Sequence, residues 1–487
     1  MKPALSPRAA LLLAVLAVWF LAAACLPPPS VAPAAEGPWW LAGDHHIHSR
    51  YSVGWNRETD PPTPIVAGGA IYPIPMNALM ARHHGLSWMV ATDHGGPNHS
   101  RVNLEQAYPE LLMSRQAVPE VVQFFGLELN SPGADHASLI MPHTHDEAQR
   151  LYSIESRFDK REPFPPDPTW DTEAHMLEAL RVMKAFPKKP VVIANHPSRS
   201  ATDLGVYGLH SPEELRNWND LAPQVAVGMA GAPGHQARTL NPDGTRRDEA
   251  RGAYGRWPTM GGFDQMTARL GGFWDSMLGE GRRWWITANS DSHVNWREGA
   301  SDFWPGEYSK TYVRAERSHD AILDGLRRGR IFVTTGDLVS ELFVTVRVTG
   351  KGGAVEADIG GTLRVPSGSE VLVTIRFLDP DTANAHGDNP SVARVDLITG
   401  DVTGPVAVRS ADTNPTTRVA ARFAASQWRA DGPYHTVTHR LEDVTSDGYL
   451  RVRGTNGSED EPGKDPTGEN PWTDLWFYSN PVFLEVR

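Results

Sequence analysis

The sequence predicts an α/β domain followed by an all-β domain, and three observations carry that reading. From Trp39 onward, apolar runs of strand length alternate with stretches of helical period, the pattern of repeated strand and helix units around a parallel sheet or barrel. Several of those runs end in His, Asp or Glu, and strand C-termini are where parallel α/β barrels assemble their sites. From Glu341 the composition shifts to short runs of strand period separated by Gly, Pro and Asp/Asn turns, which reads as a β-sandwich of immunoglobulin-like size. The resulting division is 1–38 for a signal peptide and linker, 39–338 for the α/β domain and 339–487 for the sandwich.

A chain of 487 residues, 40% hydrophobic and 21% charged, has a globular balance and room for two domains. A formal charge of -12 and a pI near 5.9 disfavour a nucleic-acid partner, whose phosphates select a basic face. The single cysteine, Cys25, excludes an intrachain disulfide. Lys2 and Arg8 precede an apolar stretch, 9–24, and a Pro/Ala-rich segment, 26–38, which together form the pattern of a signal peptide and predict export. The stretch is short for a membrane span, so membrane association is expected only through the signal segment or a lipid anchor. Leu21-Ala22-Ala23-Ala24-Cys25 resembles a bacterial lipoprotein cleavage site, with Ala22 where Leu is usual, and Ala32-Pro33-Ala34 offers a competing soluble-secretion site.

The α/β domain opens on Asp44-His45-His46-Ile47-His48-Ser49. Side chains alternate along a strand, so His46 and His48 project to one face and Ile47 to the other. Neutral imidazole is the commonest ligand of zinc-like ions, and a pair on one strand face supplies two donors without closing a loop. The competing reading, a surface His-rich tract, is weakened by the strand ends downstream. A Pro/Gly-rich loop over 55–75 is long enough for a lid or rim, and 76–84 reads as a helix stopped by Gly85. The run 86–91 is a buried strand that delivers Thr92-Asp93-His94-Gly95. A helix over 104–116 leads to strand 121–127, which delivers Glu128, and the turn 130–135 leads to His136 and the run 137–141. Asp171 N-caps a helix whose Met176, Leu177, Leu180 and Met183 form one apolar face. Strand 191–194 ends in Asn195-His196-Pro197-Ser198-Arg199, and strand 225–229 ends in a segment reaching His235. After a helix near 273–278, strand 284–288 ends in Asn289-Ser290-Asp291-Ser292-His293. Residues 308–313 and a helix over 321–326 close the domain. The all-β runs are 342–348, 371–377, 393–398, 419–423 and 475–486, with 454–470 a mobile polar loop.

Histidines with Asp and a central Glu, and no Cys, suit two or three divalent ions such as zinc, manganese or iron over a closed structural zinc site. His46-Ile47-His48 with Ser52, Thr92-Asp93-His94-Gly95, Glu128 with His136, Asn195-His196-Pro197 and Ser290-Asp291-Ser292-His293 run in order over residues 44–293. In that order they resemble the successive motifs of the PHP (polymerase and histidinol phosphatase) metallohydrolases. The resemblance implies a distorted barrel of about seven strand and helix units with its metals at the strand C-termini. It implies that His46, His48, Glu128 and Asp291 hold one ion, that Glu128 bridges to a second held also by His136 and His196, and that His94 and His293 serve a third. Where that family's opening motif often carries Asp or His a few residues after the second histidine, this chain has Ser52-Val53-Gly54. The third site is thus short of a ligand, with Glu58 and Asp60 as loop candidates. Residues 328–336 resemble a segment of the secreted, carbaryl-hydrolase-like branch, in which some members cleave carbamates.

Such ions bring the pKa of bound water from ~15.7 to near ~7 and absorb charge developing on a phosphoryl or acyl oxygen. The expected activity is hydrolysis of a small-molecule substrate by a metal-bridged hydroxide, with Glu128 at its centre. Asp93 and Asp135, next to ligand histidines, are candidates for orienting imidazoles, and Arg199 for clamping an anion. A phosphoesterase would draw on Arg50, Arg199 or Arg297. A carbamate, amide or ester hydrolase would need an apolar cleft, for which Trp55, Tyr72, Phe263, Trp274 and Trp296 are available. Phosphoester hydrolysis is the preferred expectation, with the second activity and a non-catalytic envelope-binding role as alternatives.

Overall fold

The computed structural model describes residues 38–349 and 355–487; the signal segment, Cys25 and both cleavage motifs lie outside them. Among the described residues no helix is long and apolar enough to cross a membrane. In chain order the first part contains β1 (Trp39–Ile47), a short hairpin of β2 (Gly54–Asn56) and β3 (Thr63–Ile65), β4 (Trp88–Ala91), β5 (Val122–Asn130), β6 (His136–Ile140) and β7 (Val191–Ala194). β8 (Ala226–Ala232), β9 (Trp285–Ala288), β10 (Ser309–Ala315) and β11 (Ile331–Thr335) follow. These strands, apart from the hairpin, lie side by side in the order β11-β10-β1-β4-β5-β6-β7-β8-β9 within a mixed sheet of fifteen strands.

The fold is therefore mixed α/β, and the sheet departs from the expected parallel arrangement in two places. β1, β4 and β5 are parallel, as are β7, β8 and β9. β6 runs antiparallel to both neighbours, and β10 runs antiparallel to β1 and β11. The turn between β5 and β6 is far shorter than the dozen or so residues a parallel crossover needs, so the two strands form a hairpin. That reversal sets the first residue of β6, His136, opposite Asn130 at the end of β5. β4, β7 and β9 are buried at every position, as strands covered on both faces should be.

Helices α1 (Ile74–His83), α2 (Tyr108–Ala117), α3 (Glu147–Phe158), α4 (Glu173–Ala185), α5 (Pro212–Leu221), α6 (Phe273–Gly279) and α7 (His319–Arg327) pack around these strands. Gly85, with φ +79, takes the left-handed conformation that ends α1. α4 buries Met176, Leu180 and Met183 of the expected face together with Ala179, while Leu177 is half-buried. Its N-cap is Thr172, whose hydroxyl accepts from His175 N; Asp171 instead accepts from Gly133 N at 2.8 Å. Pro109 near the start of α2 cannot donate a backbone hydrogen bond, and the turn before it is π-wound over Asn103–Ala107.

The edge of β9 is covered by side chains. Thr311 Oγ1 accepts from Ala288 N at 2.7 Å and donates to Ala288 O at 2.6 Å, while Asn480 brackets Ile286, accepting from its N and donating to its O at 3.0 Å each. Just beyond, His48 N donates to Ser292 O at 2.9 Å, so the chain leaving β9 lies beside the chain leaving β1.

The later strands are β12 (Glu341–Val348), β13 (Glu356–Ala357), β14 (Thr362–Val365), β15 (Ser369–Leu378), β16 (Arg394–Asp401), β17 (Arg418–Ala424), β18 (Arg429–Asp431), β19 (Tyr434–Val444), β20 (Gly448–Thr455), β21 (Trp476–Ser479) and β22 (Val482–Val486). β21 pairs with β11, so the large sheet continues into β20, β22, β14, β16 and β17. A second sheet, β13-β12-β15-β19-β18, is antiparallel throughout. Alternate residues of β12 and β15 are buried and share an apolar cluster with Leu397, Val452 and Phe477 of the first sheet. The polar stretch 454–470 is tied down by Asp465, which accepts from Thr259 Oγ1 at 2.6 Å, Gly261 N at 2.5 Å and Gly262 N at 3.0 Å.

Candidate metal centre

The ends of β1, β4, β5, β7, β8 and β9 and the start of β6 meet at one edge of the sheet, and each delivers a site side chain there. His46 and His48 share a face as strand alternation requires, and Ile47 is fully buried on the other. His46 Nε2 lies 2.9 Å from His48 Nε2, 3.0 Å from Glu128 Oε1 and 3.2 Å from Asp291 Oδ1. His48 Nε2 lies 3.0 Å from Asp291 Oδ1 and 3.4 Å from Glu128 Oε2. A second set shares Glu128 Oε1 with His46: His136 Nδ1 lies 3.0 Å and His196 Nε2 3.2 Å from it. His94 Nε2 and His293 Nε2 face each other at 3.3 Å, with the His48 ring close to both. Glu58 and Asp60, on the exposed β2–β3 hairpin, belong to none of the converging donor groups among the described residues and do not complete this third set.

The donor chemistry fits divalent cations. Nδ1 of His136 is buried without a hydrogen-bond donor or acceptor, and it is the atom aimed at Glu128. Ser52 Oγ donates to Asp93 Oδ1 at 2.9 Å, so it can only accept from His48 Nδ1 at 2.8 Å, which turns the bare lone pair of Nε2 inward. His293 Nδ1, 2.9 Å from Asp291 O, likewise leaves Nε2 for the site. Burial holds His48 down to about 3 and His196 to about 4, so both are neutral donors at pH 7. Burial alone would raise Glu128 and Asp291; the imidazoles of His136 and His46 outweigh it at Glu128, and those of His235 and His46 at Asp291, so both stay ionised.

The remaining assigned residues take more specific places. Asp93 touches no ligand imidazole; it accepts from Ser49 N and Ser49 Oγ and reaches His48 only through Ser52, whereas the neighbouring His94 was the expected partner. Asp135 lies 3.8 Å from both His136 Nε2 and His196 Nδ1 and pairs with Arg199 at 2.6 Å. Burial would raise Asp135, but His196 and Arg199 draw it down to about 2. Arg199 lines the 320 Å³ cavity over the site together with His94, Glu128, His136, Asp291 and His293. His45 is a core residue: its two ring nitrogens lie 3.1 Å from Ser138 Oγ and 2.8 Å from Thr287 Oγ1, and burial holds it down to about 3.

Two residues of the site were not anticipated. His235 Nε2 lies 2.8 Å from Asp291 Oδ2 and its Nδ1 2.5 Å from Asp302 Oδ1. His235 stands at a strand end as the other histidines do, and the same recurrence identifies it. Asp302 sits in a loop with no pattern around it. His196, His235 and Asp291 have φ of 31, 58 and 48, left-handed values that non-glycine residues adopt where the surroundings over-determine them, as at functional sites. No protein-family model matches the sequence, and no curated protein matches it.

Proposed function

We propose that the chain is an exported, metal-dependent hydrolase of the PHP type, acting on a small-molecule phosphoester, with its first nine-strand path read as a distorted barrel and its later strands as a sandwich. The approach of the chain after β9 to the chain after β1 supports the barrel. The observation that carries the function is the place of Glu128 between both donor sets: its Oε1 lies within 3.2 Å of His46, His136 and His196, and its Oε2 turns to His48. A carboxylate so placed between two donor sets serves as the bridge of a two-ion site.

Bound there, divalent ions would supply an activated water and Lewis acidity toward a phosphoryl or acyl oxygen. His46, His48, Glu128 and Asp291 would hold one ion, and Glu128, His136 and His196 a second. His94 and His293 offer a third set with His48. Ser52 and Asp93 keep the His48 lone pair turned inward, and Arg199 presents a guanidinium to the cavity. One observation favours a second reading. Arg199 is already paired with Asp135, which lowers its worth as an anion clamp and suits a neutral carbamate or ester. Assay of metal-reconstituted protein on aryl phosphates, phosphodiesters, carbamates and carboxylic esters tests both. Chelator-sensitive phosphatase activity supports the first, carbamate or ester cleavage the second, and no turnover of any of them overturns the enzyme reading.

A further inference from the structure

His235 contacts the proposed metal ligand Asp291 on the side away from His46 and His48. Asp291 Oδ1 faces those two histidines at 3.2 and 3.0 Å, whereas Oδ2 faces His235 Nε2 at 2.8 Å. With its two ring nitrogens on two different carboxylates, His235 links Asp291 to Asp302. His235 is held in turn: Asp302 Oδ1 receives its Nδ1 at 2.5 Å and Ser301 Oγ at 2.9 Å, and Asp302 Oδ2 accepts from His293 N at 2.7 Å and Val294 N at 3.1 Å. One carboxylate thus fixes both His235 and the backbone of the ligand His293. The loop bearing His235 is pressed onto Asp291, since a Cβ at Gly234 would fall 2.1 Å from Asp291 Cβ. His235 converges with His293 and Asp302, and in no group with His46, His48 or Glu128.

Resting on the metal-centre reading above, we propose that His235, braced by Asp302, is a positioning residue that pins Asp291 Oδ2 so that Oδ1 is presented to the ion held by His46, His48 and Glu128. Partners of this kind orient a ligand, and their loss weakens metal binding by about 10- to 100-fold.

Calorimetric titration of metal-free protein with Zn2+ alone, combined with elemental analysis at saturation, tests the assignment in wild type, His235→Asn and His235→Gln. The Asn amide sits where Nδ1 was and reaches Asp302 only, whereas the Gln amide extends to the position of Nε2 and can donate to Asp291. The expected result is a Kd raised about 10- to 100-fold in His235→Asn, recovery toward wild type in His235→Gln, and the same number of ions at saturation in all three. Wild-type affinity in His235→Asn would overturn the proposal, and so would loss of one ion in both variants, which would make His235 a ligand. If wild type binds no Zn2+, the metal-centre reading itself falls, before any variant is compared. Should His235→Asn fail to fold, Asp302→Asn carries the same comparison: weakened binding at full stoichiometry supports the brace, and unchanged binding overturns it.

Discussion

Arg199 is the residue whose replacement separates the two proposed substrate classes. Its guanidinium lines the cavity while paired with Asp135, so it has one face committed and one available. If the substrate is a phosphate monoester, Arg199→Ala should raise KM for an aryl phosphate about tenfold, leaving turnover of a neutral aryl ester within about twofold. Steady-state kinetics on the two substrates checks this, and an unchanged phosphate KM would shift the assignment to the carbamate or ester class. At this scale the sequence was informative at the ends of apolar runs, and for His136 at the start of one: His46, His48, His94, Glu128, His136, His196, Asp291 and His293 all reach one edge. Strand alternation also puts His45 on the face of Ile47, and it points into the core. The sequence did not show that Asp93 acts on His48 through Ser52, because the hydrogen-bond path, not chain adjacency, selects the imidazole.

Among the elements, α5 offers a test independent of any metal. Ser211 caps it by accepting from Glu214 N, and Pro212 fills its first position. Glu214 is buried, one of its oxygens has no hydrogen-bond partner, and burial pushes its pKa from 4.5 to about 8. The folded chain therefore keeps a proton that the unfolded chain releases near 4.5, so stability falls as pH rises from there to about 8, by at most about 1.4 kcal/mol per pH unit. Glu214→Gln removes this dependence. Its Tm should exceed that of wild type by a margin that grows between pH 5 and 8 and is level above, at about those values. A margin independent of pH would show that Glu214 is ionised in the fold. The caps of α5, like the apolar spacing Ala148, Leu151, Ile154 and Phe158 in α3, are written in the sequence, although neither helix was among the expected elements. β20 is different. Its inward positions include Arg451 and Arg453, which read as solvated until Asp275 is seen at 2.8 Å from the first and Asp396 at 3.0 Å from the second. Charge pairing at long range, invisible to local period, turns a polar-looking run into a buried strand.

Across the molecule, the continuous sheet means that the later strands help to shape the edge on which the site is built. Asn480 at the junction of β21 and β22 satisfies both backbone groups of Ile286, two residues short of the end of β9. Asn480→Ala leaves a buried donor and acceptor unpaired, at about 1–3 kcal/mol each, and should lower Tm by several degrees. It should also weaken Zn2+ binding through Asp291 and His293 just beyond β9; calorimetry showing undiminished affinity would mean that the strand end is fixed without it. The reversals of β6 and β10 could not be supplied by strand patterning, because an apolar run reads the same in either direction; for β6 only the shortness of the turn at 131–135 distinguishes a hairpin from a crossover. The sheet's continuity through β11 and β21 was equally hidden, since pairing between strands more than a hundred residues apart leaves no local trace. The central claim, that Glu128 bridges two ions, is tested most directly by elemental analysis of wild type and Glu128→Gln after reconstitution with Zn2+ and removal of free metal. The account predicts about two to three ions per chain in wild type and about one fewer or less in the variant, together with loss of the chelator-sensitive part of Tm. Equal metal content in the two proteins, or none in wild type, would contradict it.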